Sequence, residues 1–322
     1  MSFVSVKSYN VDKDMNQKQK RTLAQRYVDL LTNSGFKALF GDESNKDVVM
    51  MIINEFLPPH RKVTEIFYMP TEHQGPVIDS SKECHYDFMC HTPDGTKFIV
   101  EMQRYYERHW FKRCVTYASR AYDKQNKRGE DYDVPPVYLI GLMGVRIDHP
   151  DVDFWKNRYI SEYTFREISC GDLLAETIFI IFAELADFNK QVEECETSQD
   201  RMLYILKNVG RLKDRPAWLQ DEIYTRLFEA CEISQFTEDK RIIYEQEMSD
   251  EKRILAERQG CYDAGHKEGL EQGLEQGLEQ GLEQGRTEMI LRMIESGMSV
   301  DQIAQITRLA PDEIETLIKR HD

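Results

Sequence analysis

The sequence lacks the features of secreted and membrane-spanning proteins. No apolar run near the N-terminus resembles a signal peptide, and the most hydrophobic segment, residues 173–185, is short and contains Glu176 and Glu184. A segment of this length and charge is too polar to cross a bilayer, so it is expected to be a core element. We therefore expect a cytoplasmic protein with no membrane partner.

Cysteine pairs with the spacing of metal or redox motifs are also missing. Seven cysteines are scattered through the chain, and none belongs to a Cys-x-x-Cys motif. An odd, scattered set argues against a disulfide framework and against a structural zinc site. The thiols are expected to be reduced and buried.

A net positive charge is the third absence. The 322 residues carry a formal net charge of −15, which argues against a protein that coats nucleic acid with its whole surface. The charge is unevenly distributed, because residues 97–128 hold nine basic residues against three acids. That segment has a net charge of +6, which leaves −21 for the rest of the chain. A local basic face of this kind suits a phosphodiester substrate.

Residues 84–104 predict a β-hairpin that carries two acids. Two runs rich in aromatic and β-branched residues flank Pro93-Asp94-Gly95, a triplet that suits a three-residue loop with glycine in the left-handed position. With that loop, Asp87 faces Glu101 on one side of the sheet, and Gln103 lies on the same side. A two-residue Asp94-Gly95 turn would instead place the two acids on opposite faces.

The facing acids of the hairpin predict a metal site. Like charges that face each other across strands are destabilising unless a cation or a shared proton intervenes. Oxygen ligands without a thiolate favour Mg²⁺ or Mn²⁺ over Zn²⁺, so Asp87 and Glu101 are candidate metal ligands. One alternative is a pair of solvated acids on an open sheet face. Another is a zinc site with His85 and His91 of the same face, although strand histidines are more often packing or surface groups.

The hydrophobic pattern predicts a mixed α/β sheet covered by helices. Apolar residues at helical spacing between Val48 and Leu57 predict a buried helix that stops at Pro58-Pro59. Residues 66–69 predict a first strand, and a loop through Gly75-Pro76 leads from it to the hairpin. The remaining expected elements are a short helix at residues 23–31, a helix at about 106–127, a doubly covered strand at 137–142, an alternating strand at 158–167 and a buried element of undecided type at 173–185.

The C-terminal part of the chain is expected to be helical and acidic. Gly-Leu-Glu-Gln recurs with a period of four from residue 269 to residue 285. Because each glycine weakens a helix, a partly helical linker with weak self-association is favoured over a stable helix. Ser299 and Gln302 predict a capping box, and Pro311 opens a second short helix. This shape is similar to a helix-turn-helix, but its acidic second helix suits a phosphate-lined groove poorly.

Five stretches of the sequence together resemble one enzyme family. They are Phe36-Lys37-Ala-Leu-Phe-Gly41 with Asn45-Lys46-Asp47, the hairpin end Phe98-Ile-Val-Glu-Met-Gln103, Arg113 four residues before Tyr117, Pro136-Val-Tyr138, and the glycine-spaced tail. The chain resembles the PD-(D/E)XK nuclease family transposases, also called recombination-promoting nucleases. The resemblance implies a restriction-endonuclease-like fold with an all-α C-terminal extension. It also implies Mg²⁺-dependent cleavage of DNA, with Asp87 and Glu101 as the metal-binding acids.

The resemblance implies further site residues. Gln103 stands where most nucleases of the wider superfamily carry lysine; an amide supplies no positive charge, but it can orient a water. The acid of the first helix is expected to be Glu43, with Asp47 and Glu55 as alternatives, and each of the three can equally be a surface acid. The candidate DNA contacts are on the helix after the hairpin: Arg113, Tyr117, Arg120 and Lys124.

These expectations divide the chain into five parts. They are a lead at 1–34, a nuclease-like domain at 35–190, an acidic helical extension at 191–262, the repeat segment at 263–288 and a helix-turn-helix-like tail at 289–322. The leading interpretation is an Mg²⁺- or Mn²⁺-dependent DNA endonuclease of the recombination or mobile-element type. The alternative is a catalytically silent nuclease-fold protein that associates through its helical tail, and a weak homo-oligomer is expected through the repeat.

Overall fold

The computed structural model describes residues 5–6, 25–73, 84–129 and 131–319. The chain divides into two compact units, Met1–Ser249 and Asp250–Asp322. The strands are β1 (Ser5–Val6), β2 (Phe67–Tyr68), β3 (Glu72–His73), β4 (Cys84–His85), β5 (Phe88–His91), β6 (Lys97–Gln103), β7 (Val137–Met143), β8 (Ile147–Asp148), β9 (Ile160–Tyr163) and β10 (Ile178–Glu184). The helices are α1 (Asn33–Phe40), α2 (Lys46–Phe56), α3 (Trp110–Asp123), α4 (Val152–Trp155), α5 (Ser198–Asn208), α6 (Glu222–Ala230), α7 (Glu238–Glu295), α8 (Val300–Thr307) and α9 (Pro311–Lys319).

The first unit is built on a six-stranded mixed sheet, which confirms the predicted fold class. Its strand order is β2-β5-β6-β7-β10-β9. β6, β7 and β10 are parallel to one another, and the outer pairs are antiparallel. The parallel strands are in register, so Gln103, Met143 and Glu184 lie in one row at their carboxyl ends. Ligands of open α/β sheets commonly bind at that edge.

Helices cover both faces of this sheet. α3 packs on one face through Trp110, Cys114 and Ala118, while α1, α2 and the helices of residues 191–249 share a core with the other face. Every residue of β7 is buried, as a strand covered on both faces predicts. Gly141 of β7 lets α3 approach closely, because a Cβ atom there would lie 2.7 Å from the Phe182 ring and 3.4 Å from Trp110.

The predicted helix before Pro58 is confirmed as α2. Its buried face is formed by Val48, Val49, Ile52, Ile53 and Phe56, at the spacing of one helical stripe. Leu57 is extended and precedes proline, which ends the helix. The expected loop through Gly75-Pro76 lies outside the described residues.

The short helix expected at residues 23–31 is wrong in its described part, residues 25–31. Tyr27 forms an isolated antiparallel bridge with Glu232, and the Val28 amide donates to the Cys231 carbonyl over 2.8 Å. Tyr27 and Val28 are buried in the core by this pairing. The apolar spacing therefore reflects contacts with a segment about 200 residues away in the chain, and a local pattern contains no information about that segment.

Two further elements are shorter than predicted, and the undecided element is a strand. The predicted helix at 106–127 is confined to α3, and the alternating strand at 158–167 is confined to β9. β10 occupies the second half of the hydrophobic segment, whereas Leu173 and Leu174 are 37% and 80% exposed. These leucines were expected to be buried, but they belong to a small hairpin in which the Leu174 amide donates to the Phe165 carbonyl.

The Gly-Leu-Glu-Gln tract is helical throughout, so the expectation of a partly helical linker is wrong. The tract lies inside α7, a helix of 58 residues. Three of the four residues in each repeat are strong helix formers, and charged and polar pairs such as Gln272 with Glu268 add local support at one-turn spacing. Its leucines, Leu270, Leu274, Leu278 and Leu282, are 58–67% exposed.

The two short C-terminal helices form as predicted. Ser299 and Gln302 make the expected capping box at the start of α8, and α9 opens with Pro311. Ile290, Ile303 and Ile314 form a small buried core in the second unit. Among the described residues, no helix is both long and apolar enough to cross a membrane.

Candidate active site

The hairpin loop has the predicted form. Gly95 has a φ of +85°, the left-handed conformation that glycine adopts without strain. The Thr92 amide donates to the Thr96 carbonyl over 3.0 Å and closes the loop around Pro93, Asp94 and Gly95. Phe88 consequently pairs with Val100, which is the predicted register.

This register places Asp87 beside Glu101. The Asp87 amide donates to Glu101 Oε1 over 3.2 Å, and the Met102 amide donates to Asp87 Oδ2 over 2.8 Å. Each carboxylate therefore accepts a hydrogen bond from the backbone of the opposite strand. Backbone amides thus hold the two acids together.

The environment of the acids raises both of their pKa values. Glu101 is 2% exposed, and its burial, followed by the charge of Asp87, raises the pKa of Glu101 to about 8. Asp87 remains open to solvent, yet the surrounding protein atoms raise the pKa of Asp87 by desolvation. The Met102 amide and the charges of Arg113 and Lys37 oppose that rise in the pKa of Asp87. At high pH the pair therefore carries two negative charges that these groups offset only in part.

Gln103 lies on the same side of β6 as Glu101 and is buried. Its amide nitrogen donates to the Tyr105 carbonyl, and its amide oxygen accepts from Arg113 Nη2 over 3.2 Å. Both ends of the side chain therefore bond to protein. The predicted water-orienting role of Gln103 remains a prediction, while the structure gives it a second role in fixing Arg113.

Arg113 is the predicted DNA contact that the structure brings to the acids. It pairs with Glu107 over 2.5 Å, bonds to Gln103, and its guanidinium lies 4.7 Å from the ring centre of Trp110. Its charge lowers the pKa values of both Asp87 and Glu101, although desolvation outweighs this effect. Glu107 has no signal in the sequence, because it precedes α3 and is not at helical spacing from Arg113.

The other three predicted DNA contacts lie along α3 and at the residue directly after it. The Tyr117 ring packs edge-on against Tyr86, and the Tyr117 carbonyl accepts from the Tyr86 hydroxyl over 3.3 Å. Arg120 Nη1 lies 3.0 Å from Cys84 Sγ. Lys124 is exposed, and its charge acts with burial to lower the pKa of Lys97, the first residue of β6. Since Glu101 is four residues along β6 from Lys97, Lys124 lies roughly 13 Å along the strand from the acids.

The three candidates for the first-helix acid have different surroundings. Glu43 is on a 3₁₀ turn before α2, and its charge adds to burial in raising the pKa of Tyr68. Asp47 pairs with Arg226, and Glu55 Oε2 accepts from Ser198 Oγ over 2.8 Å. Within the described ranges, no hydrogen bond or ion pair joins any of the three to Asp87 or Glu101. The catalytic role of Glu43 remains a prediction.

The donor set fits a hard divalent cation held by two carboxylates. Asp87 and Glu101 supply the oxygens, and the main chain at Met102 runs beside them. The described part of the chain contains no group of three or more His, Cys, Asp or Glu residues placed to hold a metal, so any ion at this pair would need backbone or water ligands as well. Mg²⁺ is commonly held by one or two carboxylates and keeps several waters, so it is compatible with this pair.

Comparison with known families shows to which family the chain belongs. The model of the PD-(D/E)XK nuclease family transposases matches residues 30–257, a range that includes the whole hairpin and α3. The chain belongs to this family. PD-(D/E)XK membership points to a nuclease of mobile-element type that acts on DNA, and nucleases of this kind typically use divalent metals. No curated protein and no solved structure matches the chain.

Proposed function

We propose that this PD-(D/E)XK protein is an endonuclease that hydrolyses phosphodiester bonds in DNA with Mg²⁺ or Mn²⁺. The observation that carries the proposal is the pairing of Asp87 with a buried Glu101 on the α3 face of the sheet. Two facing acids with raised pKa values destabilise the folded protein when no cation lies between them. A cation and a phosphate that bind at this basic face would explain why the pair is present.

The residues of the pair have distinct roles in this proposal. Asp87, Glu101 and the Met102 carbonyl would hold the ion, which when bound supplies an activated water and neutralises phosphate charge. Gln103 and Glu107 hold Arg113 beside the acids. Arg113 then directs positive charge toward the phosphate that enters the site. Tyr117, Arg120 and Lys124 extend the binding surface along α3, and Glu43 is the proposed first-helix acid.

The experiment that tests this function is nicking of supercoiled plasmid DNA. The wild type is compared with Asp87→Asn, which keeps an acceptor for the Met102 amide but removes the charge. Glu162→Gln serves as the matched control, because Glu162 is an exposed acid on β9. We expect nicking by the wild type and by Glu162→Gln with Mg²⁺ or Mn²⁺, none with EDTA, and none by Asp87→Asn. Equal nicking by Asp87→Asn would refute the assignment.

A second candidate function rests on the second unit. The four leucines of the repeat are more than half exposed along α7, as in a helix that associates with another protein surface. In this alternative the nuclease fold is catalytically silent and the tail mediates association, including weak self-association. Sedimentation of the full chain and of a chain ending at Tyr262 discriminates: equal monomeric masses at micromolar concentration exclude the repeat as an oligomerisation element.

A further inference from the structure

Trp110, the first residue of α3, packs beside Glu101 on the same face of the sheet. Gly141 of β7 is the register partner of Glu101, and a Cβ atom at Gly141 would lie 3.4 Å from Trp110 Cζ2. Neighbouring strands are about 4.8 Å apart, so the indole lies over the main chain directly next to Glu101. Ile99, two residues before Glu101 on the same side of β6, belongs to the same buried cluster as Trp110. The absence of a side chain at Gly141 thus leaves room for this ring.

Arg113 lies against the face of this indole. Its Cζ atom is 4.7 Å from the centre of the Trp110 ring, a distance at which a guanidinium is attracted by the π electrons. Trp110 is 1% exposed, and its indole nitrogen has no hydrogen-bond partner among the described residues. The face of the ring, rather than the N–H group, is therefore the part of Trp110 that acts on the site.

Two polar side chains hold the edge of the same guanidinium. Arg113 Nη1 donates to Glu107 Oε2 over 2.5 Å, and Arg113 Nη2 donates to Gln103 Oε1 over 3.2 Å. Gln103 lies about 7 Å along β6 from Glu101, on the same side of the strand. Each terminal nitrogen of arginine carries two hydrogens, and these bonds use one on each. Because the Arg113 side chain is 33% exposed, a phosphate oxygen can reach the remaining two.

The orientation of Arg113 matters because an arginine binds phosphate through the direction of its N–H groups. Phosphodiester hydrolysis builds negative charge on the phosphate oxygens, and fixed donors aimed at those oxygens lower the barrier. Glu107 and Gln103 hold two corners of the planar guanidinium, but the plane could still turn about the line between them. A ring stacked on its face prevents that rotation.

We propose that Trp110 is a positioning residue of this protein, whose ring, packed on Gly141, holds the Arg113 guanidinium in the plane from which it binds a phosphate oxygen at Asp87 and Glu101. The proposal rests on the proposed nuclease function. It gives a core aromatic residue a role that is exerted through Arg113. Replacement of Trp110 should therefore have consequences only where Arg113 is present.

The activity test compares Trp110→Phe, Trp110→Leu and the control Phe111→Leu. Phe111 is the next residue of α3, and its ring packs 5.1 Å from that of Phe182, so the control shortens a core aromatic residue of the same helix. We expect kcat to fall about tenfold in Trp110→Leu and at most about threefold in Trp110→Phe, which keeps a ring face, with smaller changes in KM. Phe111→Leu should have wild-type kinetics below its unfolding temperature. Equal losses in Trp110→Phe and Trp110→Leu, or in Trp110→Leu and Phe111→Leu, would overturn the role of Trp110.

A double-mutant cycle with Arg113→Gln separates positioning from packing. If Trp110 acts through Arg113, Trp110→Leu should reduce kcat in the Arg113 protein and leave kcat unchanged in the Arg113→Gln protein. The same reduction in both backgrounds would show that Trp110 only packs the core. If Trp110→Leu does not fold, Trp110→Phe completes the cycle with its smaller loss.

A binding test distinguishes failure of this inference from failure of the proposed function. Affinity for a short DNA duplex is measured in EDTA at several salt concentrations, and Arg113→Gln should reduce the salt slope by about one. Trp110→Leu should weaken binding at a fixed salt concentration in the Arg113 protein and not in the Arg113→Gln protein. If the wild type fails to nick DNA, the proposed function fails, and the binding cycle then decides on Trp110 by itself. Equal changes in affinity in both backgrounds, or no change in either, would overturn its role.

Discussion

The Asp87 amide donates to Glu101 Oε1 across 3.2 Å, and this bond ties the two acids of the site before any ligand binds. The reciprocal bond from the Met102 amide to Asp87 has the same effect on the other carboxylate. These two bonds fix the positions of the carboxylates, although the burial of Glu101 and the charge of Asp87 destabilise the ionised pair. A bound cation would then only have to offset the negative charge.

The first prediction concerns stability and pH in the absence of metal. The pKa of Glu101 is about 8 in the folded protein, above its ordinary value of about 4.3 in an unfolded chain. Between these values the folded state binds a proton that the unfolded state does not, so the free energy of unfolding should decrease as pH rises, at up to about 1.4 kcal/mol per pH unit. Glu101→Gln, which keeps an acceptor for the Asp87 amide, should remove most of this slope.

Urea unfolding in EDTA between about pH 5 and pH 9 measures this slope. Asp87 contributes in the same direction in both proteins, because desolvation raises its pKa as well. Parallel curves for the wild type and Glu101→Gln would show that Glu101 titrates normally, in contradiction of the burial argument.

A second prediction concerns stabilisation by metal. An ion that binds only the folded protein raises the free energy of unfolding by about 2.7 kcal/mol at a concentration 100 times its Kd. The effect of Mg²⁺ should be larger at pH 8.5 than at about pH 6, because protons compete for the same carboxylates. Thermal unfolding with Mg²⁺, Mn²⁺ and EDTA measures it. Asp87→Asn should show little stabilisation, and a full response in that variant would place the ion elsewhere.

The hairpin was the most predictable part of the molecule. Pro93-Asp94-Gly95 determines the loop type, and the loop type determines which side chains of β5 and β6 share a face. Those local rules suffice to bring Asp87 to Glu101 from sequence. The family resemblance supplied the proposed role of the pair, and the match over residues 30–257 shows the family itself.

Features that depend on distant partners could not be predicted. Tyr27 is buried by pairing with Glu232, and its spacing imitates a helix. Leu173 and Leu174 are exposed, unlike the residues of β10, because they lie in a small hairpin outside the sheet. In each case the deciding contact is tertiary.

The basic helix gives a third prediction. Lys112 is exposed on α3 and Lys124 is exposed directly after it, and each should contribute about one unit to the salt slope of DNA binding. Lys112→Gln and Lys124→Gln should therefore flatten the slope. Lys213→Gln, at an exposed loop lysine of the helical part, should leave it unchanged. Fluorescence anisotropy with a labelled duplex is a suitable measurement. If both variants have the same slope as the wild type, the DNA does not bind along α3.

The position of Lys124 limits how long a duplex must be to reach it. Lys124 lies beside Lys97, which is four residues and roughly 13 Å along β6 from Glu101, or about four base pairs at 3.4 Å each. Cleavage of a duplex that ends fewer than about four base pairs beyond the scissile bond should be insensitive to Lys124→Gln. Sensitivity that does not depend on duplex length would indicate a different DNA path.

The repeat of α7 gives a fourth prediction. Among the described residues, and apart from the adjacent backbone of the same helix, a Cβ atom at Gly273 or Gly277 would meet no atom within 4 Å, so alanine there should stabilise the helix by about 1 kcal/mol per substitution. Hydrogen exchange of residues 269–285 should slow in the double variant Gly273→Ala/Gly277→Ala. Gly35→Ala is the opposite control, because its Cβ atom would lie 2.0 Å from the Asp29 carbonyl oxygen and should destabilise the first unit. Unchanged exchange in the double variant would contradict a continuous helix.

The most direct test of the central claim is the plasmid-nicking rate of Asp87→Ala, Glu101→Ala and the double variant. If the two acids hold one ion as a unit, each single substitution should reduce the rate by roughly a thousandfold or more, and the double variant should be no worse than either. Circular dichroism checks that all three proteins are folded. A single variant that nicks at the wild-type rate, or losses that multiply in the double variant, would contradict a shared metal site at Asp87 and Glu101.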